Sequence, residues 1–301
     1  MKILVVGKAG QVAQSLIAAT KPRGVVIIAF GRPKLDLAKA ETIGAVFEEV
    51  VPDLIVNAAA YTDVDKAVSE PDAAFLINAT GPQRLSEECA RRSVPLIHLS
   101  TDYVFDGSKT GYYNEEDPVA PLGIYGLSKL TGERHVAAAC PHHVILRTAW
   151  VYSSYGRNFV KTMLRLAESR SELSIVDDQR GNPTYAAHLA DAILAIAGRL
   201  VEGNGDDVHW GTYHVAGIGE ATWCELAREV FRQSAESGGP SATVRAIATA
   251  DYPTPAERPS NSRLDCSKLE ADYGLRLPNW RIGVTACVRD LIASTRTKSL
   301  D

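Results

Sequence analysis

The chain has 301 residues, 46% of them hydrophobic and 23% charged, the balance of a folded globular protein with apolar sequence enough for one large α/β unit or two coupled domains. A formal net charge of −4 argues against nucleic acid as the main partner, because phosphate binding leaves a basic footprint. No apolar run reaches the length of a signal h-region or a membrane span, and the five cysteines (Cys89, Cys140, Cys224, Cys266, Cys287) lack metal-ligand or redox spacing, so a cytoplasmic protein with reduced, structural thiols is expected.

Apolar runs of strand length stand at 3–6, 25–30, 54–57, 96–100 and 144–148, with helix-period segments between them near 11–20, 38–50, 72–93 and 126–140. The runs are continuously apolar rather than alternating, as in strands covered on both faces. Strand–helix alternation of this kind predicts a doubly wound parallel sheet of the Rossmann type, with ligands beyond the carboxyl ends of the strands. After residue 150 the pattern loosens: helices are expected over 158–170 and 188–200 and a strand over 212–216. The stretch 251–259, with three prolines, is expected to be an extended loop. The predicted organisation is a dinucleotide-binding domain over 1–150, which also receives elements near 184–217, and a smaller α+β substrate-binding domain over 151–301.

Gly7-Lys8-Ala9-Gly10-Gln11-Val12-Ala13 follows the first strand and opens the first helix. Glycine at Gly7 and Gly10 lets the backbone turn sharply and a pyrophosphate approach a helix N-terminus without a Cβ in the way. An acid at the end of the second strand would select NAD by binding ribose hydroxyls, but the strand ends Ile28-Ala29-Phe30-Gly31-Arg32. Arg32 is either a ligand for the 2′-phosphate of NADPH or a solvated loop arginine. Asp36 and Leu37 are adenine-side candidates, with Asp36 equally suited to cap the next helix. Small residues in Asn57-Ala58-Ala59-Ala60-Tyr61-Thr62, after the third strand, permit close approach of a flat ligand.

Tyr125-Gly126-Leu127-Ser128-Lys129 opens the helix that precedes the fifth strand. Four residues apart, the phenol and the ammonium share one helix face. A ketone reduced by hydride transfer develops alkoxide character that a phenol can protonate, and a nearby ammonium stabilises the phenolate left behind. Ser100 and Thr101, at the end of the fourth strand, compete for the hydroxyl that polarises the carbonyl, because alternation sends only one of them into the cleft. His142-His143 is read as a loop leading into the fifth strand, and Glu115-Glu116-Asp117 as a solvated loop.

Runs at 100–107, 125–133 and 147–152 resemble the dTDP-4-dehydrorhamnose reductase family of extended short-chain dehydrogenases. The likeness also covers 7–12, 57–62, Val64-Asp65-Lys66-Ala67, 181–184 and 258–262. The resemblance implies that Thr101 joins Tyr125 and Lys129 in catalysis, and that Thr101, Asp102 and Trp150 line a sugar site. It places Gly10, Gln11, Val12, Ala60, Tyr61 and Thr62 at the cofactor, and implies reduction of the C4 ketone of a dTDP-linked 4-keto-6-deoxy-L-sugar to dTDP-L-rhamnose. Trp150 is expected to cover a sugar face, and Arg258 is either a diphosphate ligand or a surface arginine.

Phe30, where some members carry an acid, favours NADPH or dual use with NADH. Some members bridge subunits through Mg²⁺ on glutamates. Ser15 and Ala187 stand at the matching places, so no such metal is expected, although a homodimer stays open. The rival readings are a reductase of another nucleotide-linked ketosugar and a non-catalytic NADP-binding regulatory subunit. The complete Thr101, Asp102, Tyr125 and Lys129 set weighs against the second.

Overall fold

Lys2–Val6 (β1) buries Ile3, Leu4, Val5 and Val6 on both of its faces, and each such aliphatic side chain contributes about 1.5–3 kcal/mol by leaving water. The computed structural model describes residues 1–19, 24–203 and 208–298. After β1 come Gln11–Ala18 (α1), Val26–Phe30 (β2), Ala40–Val50 (α2) and Leu54–Asn57 (β3). Val64–Ser69 (α3) and Pro71–Phe75 (α4) follow, then a π-helical segment, Leu76–Thr80, that runs into Gly81–Arg92 (α5). Leu96–Thr101 (β4), Ile124–Ala139 (α6) and His143–Thr148 (β5) complete the first half.

The remaining chain is built from shorter pieces: Val151–Tyr152 (β6), Phe159–Ala167 (α7), Glu172–Val176 (β7), Arg180–Gly181 (β8) and Thr184–Tyr185 (β9). Ala186–Glu202 (α8) and Gly211–His214 (β10) precede Ala221–Thr222 (β11), Trp223–Glu236 (α9) and Thr243–Ile247 (β12). Asn261–Ser262 (β13), Ser267–Tyr273 (α10) and Trp280–Lys298 (α11) end the fold.

One six-stranded sheet in the order β10-β5-β4-β3-β1-β2 carries the molecule, and all of its pairings are parallel. Alternate side chains go to opposite faces. Ile3, Val5 and Val56 pack with α1 and α8, while Leu4, Val6 and Ile55 pack with α2 and α5. The chain therefore leaves the sheet after β5 and returns to it, laying α8 against α1 and adding β10 at the edge. A second apolar cluster, with Tyr152, Val160, Leu226, Val230, Trp280 and Val284, forms outside the sheet.

The helix expected over 72–93 is interrupted. Pro82 has no N–H for the Asn78 carbonyl, and its ring crowds that carbonyl, so the turn widens into the π segment 76–80. The freed carbonyl lies against α6, where a Cβ on Gly132 would come within 2.0 Å of the Asn78 oxygen. The loop 251–259 is without regular structure apart from Asp251, which closes a 3-10 turn, Thr249–Asp251.

Candidate active site

The turn after β1 is shaped for an anion. Gly7 sits at φ 102° and donates to the Phe30 carbonyl at 2.8 Å, and a Cβ there would press on the Ala59 nitrogen at 3.2 Å. Gly10 precedes α1 in extended conformation, and a Cβ on it would meet only the Ala58 oxygen, at 3.9 Å. The space beside Gly10 is thus open, and the first N–H groups of α1, from Gln11 and Val12 onward, have no partner within the helix. Open backbone donors at the positive end of a helix fit a pyrophosphate.

Gln11 has a further task, since its amide donates to the Val151 carbonyl at 3.2 Å and accepts from Ser153 and Asn158 at 3.0 and 2.9 Å. Arg32 is exposed and has no ion-pair partner among the described residues. Asp36 does not cap α2, whose N-cap is Lys39; its carboxylate instead accepts from Ala38 N at 3.1 Å in the preceding turn. Leu37 is buried, with its Cβ where a Cβ on Gly81 would approach to 2.6 Å.

Ala60, Tyr61 and Thr62 follow β3 at the same strand-end level. Asn78, on the π segment, fixes this loop: its carboxamide accepts from Tyr61 N at 2.8 Å and donates to the Tyr61 carbonyl and the Ser128 hydroxyl, each at 3.0 Å. Nothing in the helix periodicity singles out Asn78. The signal that could have found it is the Gly81-Pro82 break three residues on.

α6 begins at Ile124, so Tyr125 and Lys129 lie in its first two turns. Gly126 lets the helix come against the 3-10 turn Asp102–Val104 that follows β4, for a Cβ there would fall 2.1 Å from the Tyr103 carbonyl oxygen. Lys129 is buried and donates from Nζ to the Leu99 carbonyl at 2.6 Å. Burial lowers its pKa to about 8, with the Glu133 carboxylate one turn on pulling the other way. Burial pushes the Tyr125 phenol up to about 12; the Thr101 hydroxyl within hydrogen-bonding reach opposes the rise and the Asp102 charge adds to it. Thr101 Oγ1 donates to Asp102 Oδ1 at 3.0 Å and accepts from Tyr103 N at 3.2 Å. Asp102 is buried too, and burial raises its carboxyl to about 6 in spite of the Thr101 bond. Of the two competing hydroxyls, Thr101 is the one beside Tyr125. Ser100 is buried without a hydrogen-bond partner.

Two buried groups near this cluster carry no motif. His98 accepts at Nδ1 from the Asn57 amide at 3.0 Å, an orientation set by Ala59 N bonding Asn57 Oδ1 at 3.2 Å. Burial, then the Lys129 charge, keeps the ring neutral. Glu133 and Arg147 form a buried, two-pronged ion pair, 2.7 Å from Nη2 to Oε2 and 3.0 Å from Nε to Oε1. The acidic group 115–117 is not simply solvated, because Glu115 accepts from His214 N at 2.7 Å and Asp117 caps Asn114 N, also at 2.7 Å. His143 belongs to β5 rather than to a loop.

The opposite wall comes from the second half. Trp150 sits at φ 48°, a costly setting for a non-glycine residue that only surrounding contacts can hold. Its indole stacks on Trp223 at 3.6 Å and 5°, and Nε1 donates to Ser262 at 3.2 Å. One indole face is therefore taken by Trp223, a residue the sequence left unmarked. Arg258 is half-buried, donating to Asp65 Oδ2 at 2.9 Å and to the Ala256 carbonyl at 3.2 Å. A small cavity lined by Tyr103, Tyr125, Gly126, Ala256 and Pro259 lies where this segment meets the first wall. A larger one of about 310 Å³, lined by Ile218, Gly219, Cys266 and Leu277, contains none of these groups.

The family model described as RmlD substrate binding domain matches residues 1–293. A dTDP-4-dehydrorhamnose reductase of Sinorhizobium fredii is 51% identical over 280 residues, covering 93% of this chain and 94% of its own. The chain belongs to the dTDP-4-dehydrorhamnose reductase family. The Escherichia coli K12 reductase is 43% identical over 301 residues, with coverage of 98% and 99%. A solved dTDP-4-dehydrorhamnose reductase from Bacillus anthracis, in complex with NADP, superposes with a TM-score of 0.89 at 33% identity and covers 96% of this chain and 99% of its own. Membership thus extends over both walls of the cleft. Among the described residues, no helix is long and apolar enough to cross a membrane.

Proposed function

We propose that this protein reduces the C4 ketone of dTDP-4-dehydro-L-rhamnose to the alcohol, giving dTDP-L-rhamnose, with NADPH and secondarily NADH as the reductant. The observation that carries the reading is the Thr101–Tyr125–Lys129 cluster at the carboxyl end of β4, in the same parallel sheet whose first strand ends in an anion-ready glycine turn. The sugar and the nucleotide come from the relatives' names, and NADPH from the NADP-bound relative together with the exposed Arg32 beyond an acid-free second strand.

NADPH, when bound, supplies the hydride. Tyr125, with its phenol held up at about 12, is protonated at neutral pH and delivers that proton to the C4 oxygen as hydride arrives at carbon, a step worth about 10²–10⁴-fold. Lys129, still largely protonated at neutral pH with a pKa of about 8, stabilises the phenolate and helps restore the proton. Thr101 turns its hydroxyl from Asp102 toward the carbonyl and orients it. Gly7, Gly10, Gln11 and Val12 hold the pyrophosphate end, Ala60–Thr62 the nicotinamide side, and Asp36 and Leu37 the adenine side. Asp102 and Trp150 meet the sugar, and Arg258 the diphosphate. On this reading the cofactor belongs to residues 1–150 with elements near 184–217, and the substrate to 151–301.

Purified protein incubated with dTDP-4-dehydro-L-rhamnose and NADPH should consume one equivalent of NADPH per C4 alcohol formed. No consumption with that nucleotide sugar would refute the proposal.

A further inference from the structure

The motif Val64-Asp65-Lys66-Ala67 belongs to the family likeness, yet the reaction as derived gives it no task. In the structure, Asp65 reaches across 193 residues to Arg258 and across 191 to Ala256. Its carboxylate accepts from Ala256 N at Oδ1, 3.2 Å, and from the Arg258 guanidinium at Oδ2, 2.9 Å. Burial alone would raise the Asp65 carboxyl, but the Arg258 and Ala256 bonds hold it below its ordinary value.

These contacts land on a segment with little else to hold it. Between Asp251 and Pro259 only Ala256 and Pro259 are buried, while Tyr252, Pro253, Pro255 and Glu257 face solvent. Pro259 is packed on Gly107, where a Cβ would come within 2.7 Å of the proline Cβ, and Ser260 donates to the Gly107 carbonyl at 3.1 Å. That fixes the outgoing end. Further back, Thr254 donates to Ala256 within the segment itself, and the ties to the first half of the chain are the Asp65 carboxylate, which holds both Ala256 and Arg258, and the Tyr103 phenol beside Arg258.

The guanidinium has a consequence for the tyrosines. Arg258 lies beside the Tyr103 phenol, and the Tyr103 ring stands edge-on to Tyr125, 5.5 Å between centroids at 77°. Of the five N–H donors of the arginine fork, one goes to Asp65 and one to the Ala256 carbonyl, and the Tyr103 phenol lies within hydrogen-bonding reach of the fork as well. The remaining donors are held in one orientation and left for an anion. An arginine already ordered loses less rotamer freedom on binding than one that must be caught from solvent.

We propose that Asp65 is a positioning residue: it seats the 251–259 strap against α3 beside Tyr103 and Tyr125, and presents the Arg258 guanidinium to the diphosphate of the nucleotide-linked substrate. The proposal rests on the reading of Arg258 as the diphosphate ligand. Asp65 touches neither the ketone nor the nicotinamide, so its loss acts through Arg258 and through substrate capture rather than through proton transfer.

The test combines kinetics with amide exchange. Asp65→Ala should raise KM for the dTDP-sugar about tenfold, the cost of an unordered arginine and strap. Its kcat should stay within about threefold and its NADPH affinity within about twofold, both small on the scale of one lost contact. Asp65→Asn keeps an acceptor for Ala256 N and should fall between wild type and Asp65→Ala. In an Arg258→Ala background the step from Asp to Asn at 65 should change KM by less than about twofold, as expected when two residues act as one unit. Amide exchange at Ala256 should accelerate about tenfold or more in Asp65→Ala, and this readout needs no substrate. An unchanged KM, an equal loss in the Arg258→Ala background, or NADPH binding weakened as much as sugar binding would overturn the positioning role. Wild-type protein inert toward the dTDP-sugar would instead overturn the proposed reaction. In that case unchanged Ala256 exchange overturns the seating of the strap, and accelerated exchange upholds it.

Discussion

On the sheet side of the cleft, Thr101, Tyr125 and Lys129 come from one strand end and the first two turns of one helix. Backbone fits there leave no room for even a methyl group, as at Gly126 and Gly132. On the other side Trp150, Trp223 and Ser262 come from separate segments and are joined by one hydrogen bond and one ring stack, while Arg258 is tied by an ion pair to Asp65 on α3. The first wall is rigid because strands and helices interlock, and it carries the groups whose pKa values matter. The second is assembled from side chains that reach over long stretches of chain, which suits a surface that must admit and hold a large substrate. On the proposed reading, the position of the proton donor is a property of the sheet, and recognition of the nucleotide a property of the strap.

Four measurements can break or sharpen that contrast. The largest effect is expected in the rigid wall: Tyr125→Phe should lower kcat at least about 100-fold while NADPH affinity stays put, because the lost function is general acid catalysis. Activity close to wild type would remove Tyr125 from the chemistry. Packing should show the same asymmetry in equilibrium denaturation. Gly132→Ala places a Cβ 2.0 Å from the Asn78 oxygen and should cost about 1–3 kcal/mol or more by overpacking. Gly44→Ala, in α2 with nothing within 4 Å of the added Cβ, should gain about 0.5–1 kcal/mol.

Arg32→Ala removes an exposed charge with no partner among the described residues. It should weaken NADPH binding about tenfold, the value of one charge-assisted bond, and leave NADH nearly untouched. Equal losses for both cofactors would show that Arg32 does not read the 2′-phosphate. The mildest effect is on pH. Lys129 has a depressed pKa of about 8, so its charge is lost as pH rises through that value, and kcat/KM should decline above about pH 8. A flat profile through about pH 9 would mean that the ammonium is not needed.

How much of this was legible beforehand follows the same division. Gly7 and Gly10 are readable because a strand, a turn and a helix N-terminus are contiguous, and Tyr125 and Lys129 because four residues make a helical turn. β10 was expected as a strand over 212–216 and α8 as a helix over 188–200, and both lie within a few residues of those bounds. Asn78 was hidden inside a stretch whose periodicity reads as one helix until Pro82 widens it. Asp36 looked like a cap because its residue type suits one, yet the helix starts later, after Lys39. Glu115 looked solvated in an acidic run, whereas a backbone N–H 99 residues away claims it. Trp223 and Asp65 gain their meaning from Trp150 and Arg258, and no local pattern encodes a contact that the fold makes across such separations.

The central claim, that the sheet wall does the chemistry while the second wall holds the nucleotide, is tested most directly by comparing two substrates on wild-type protein. The free 4-keto-6-deoxy-L-hexose and its dTDP-linked form present the same ketone to Tyr125. If remote binding energy orients that ketone, kcat/KM with NADPH should be lower for the free sugar by several orders of magnitude. Comparable values for the two would contradict the account, since the strap and Arg258 would then contribute nothing and the protein would be a general ketone reductase.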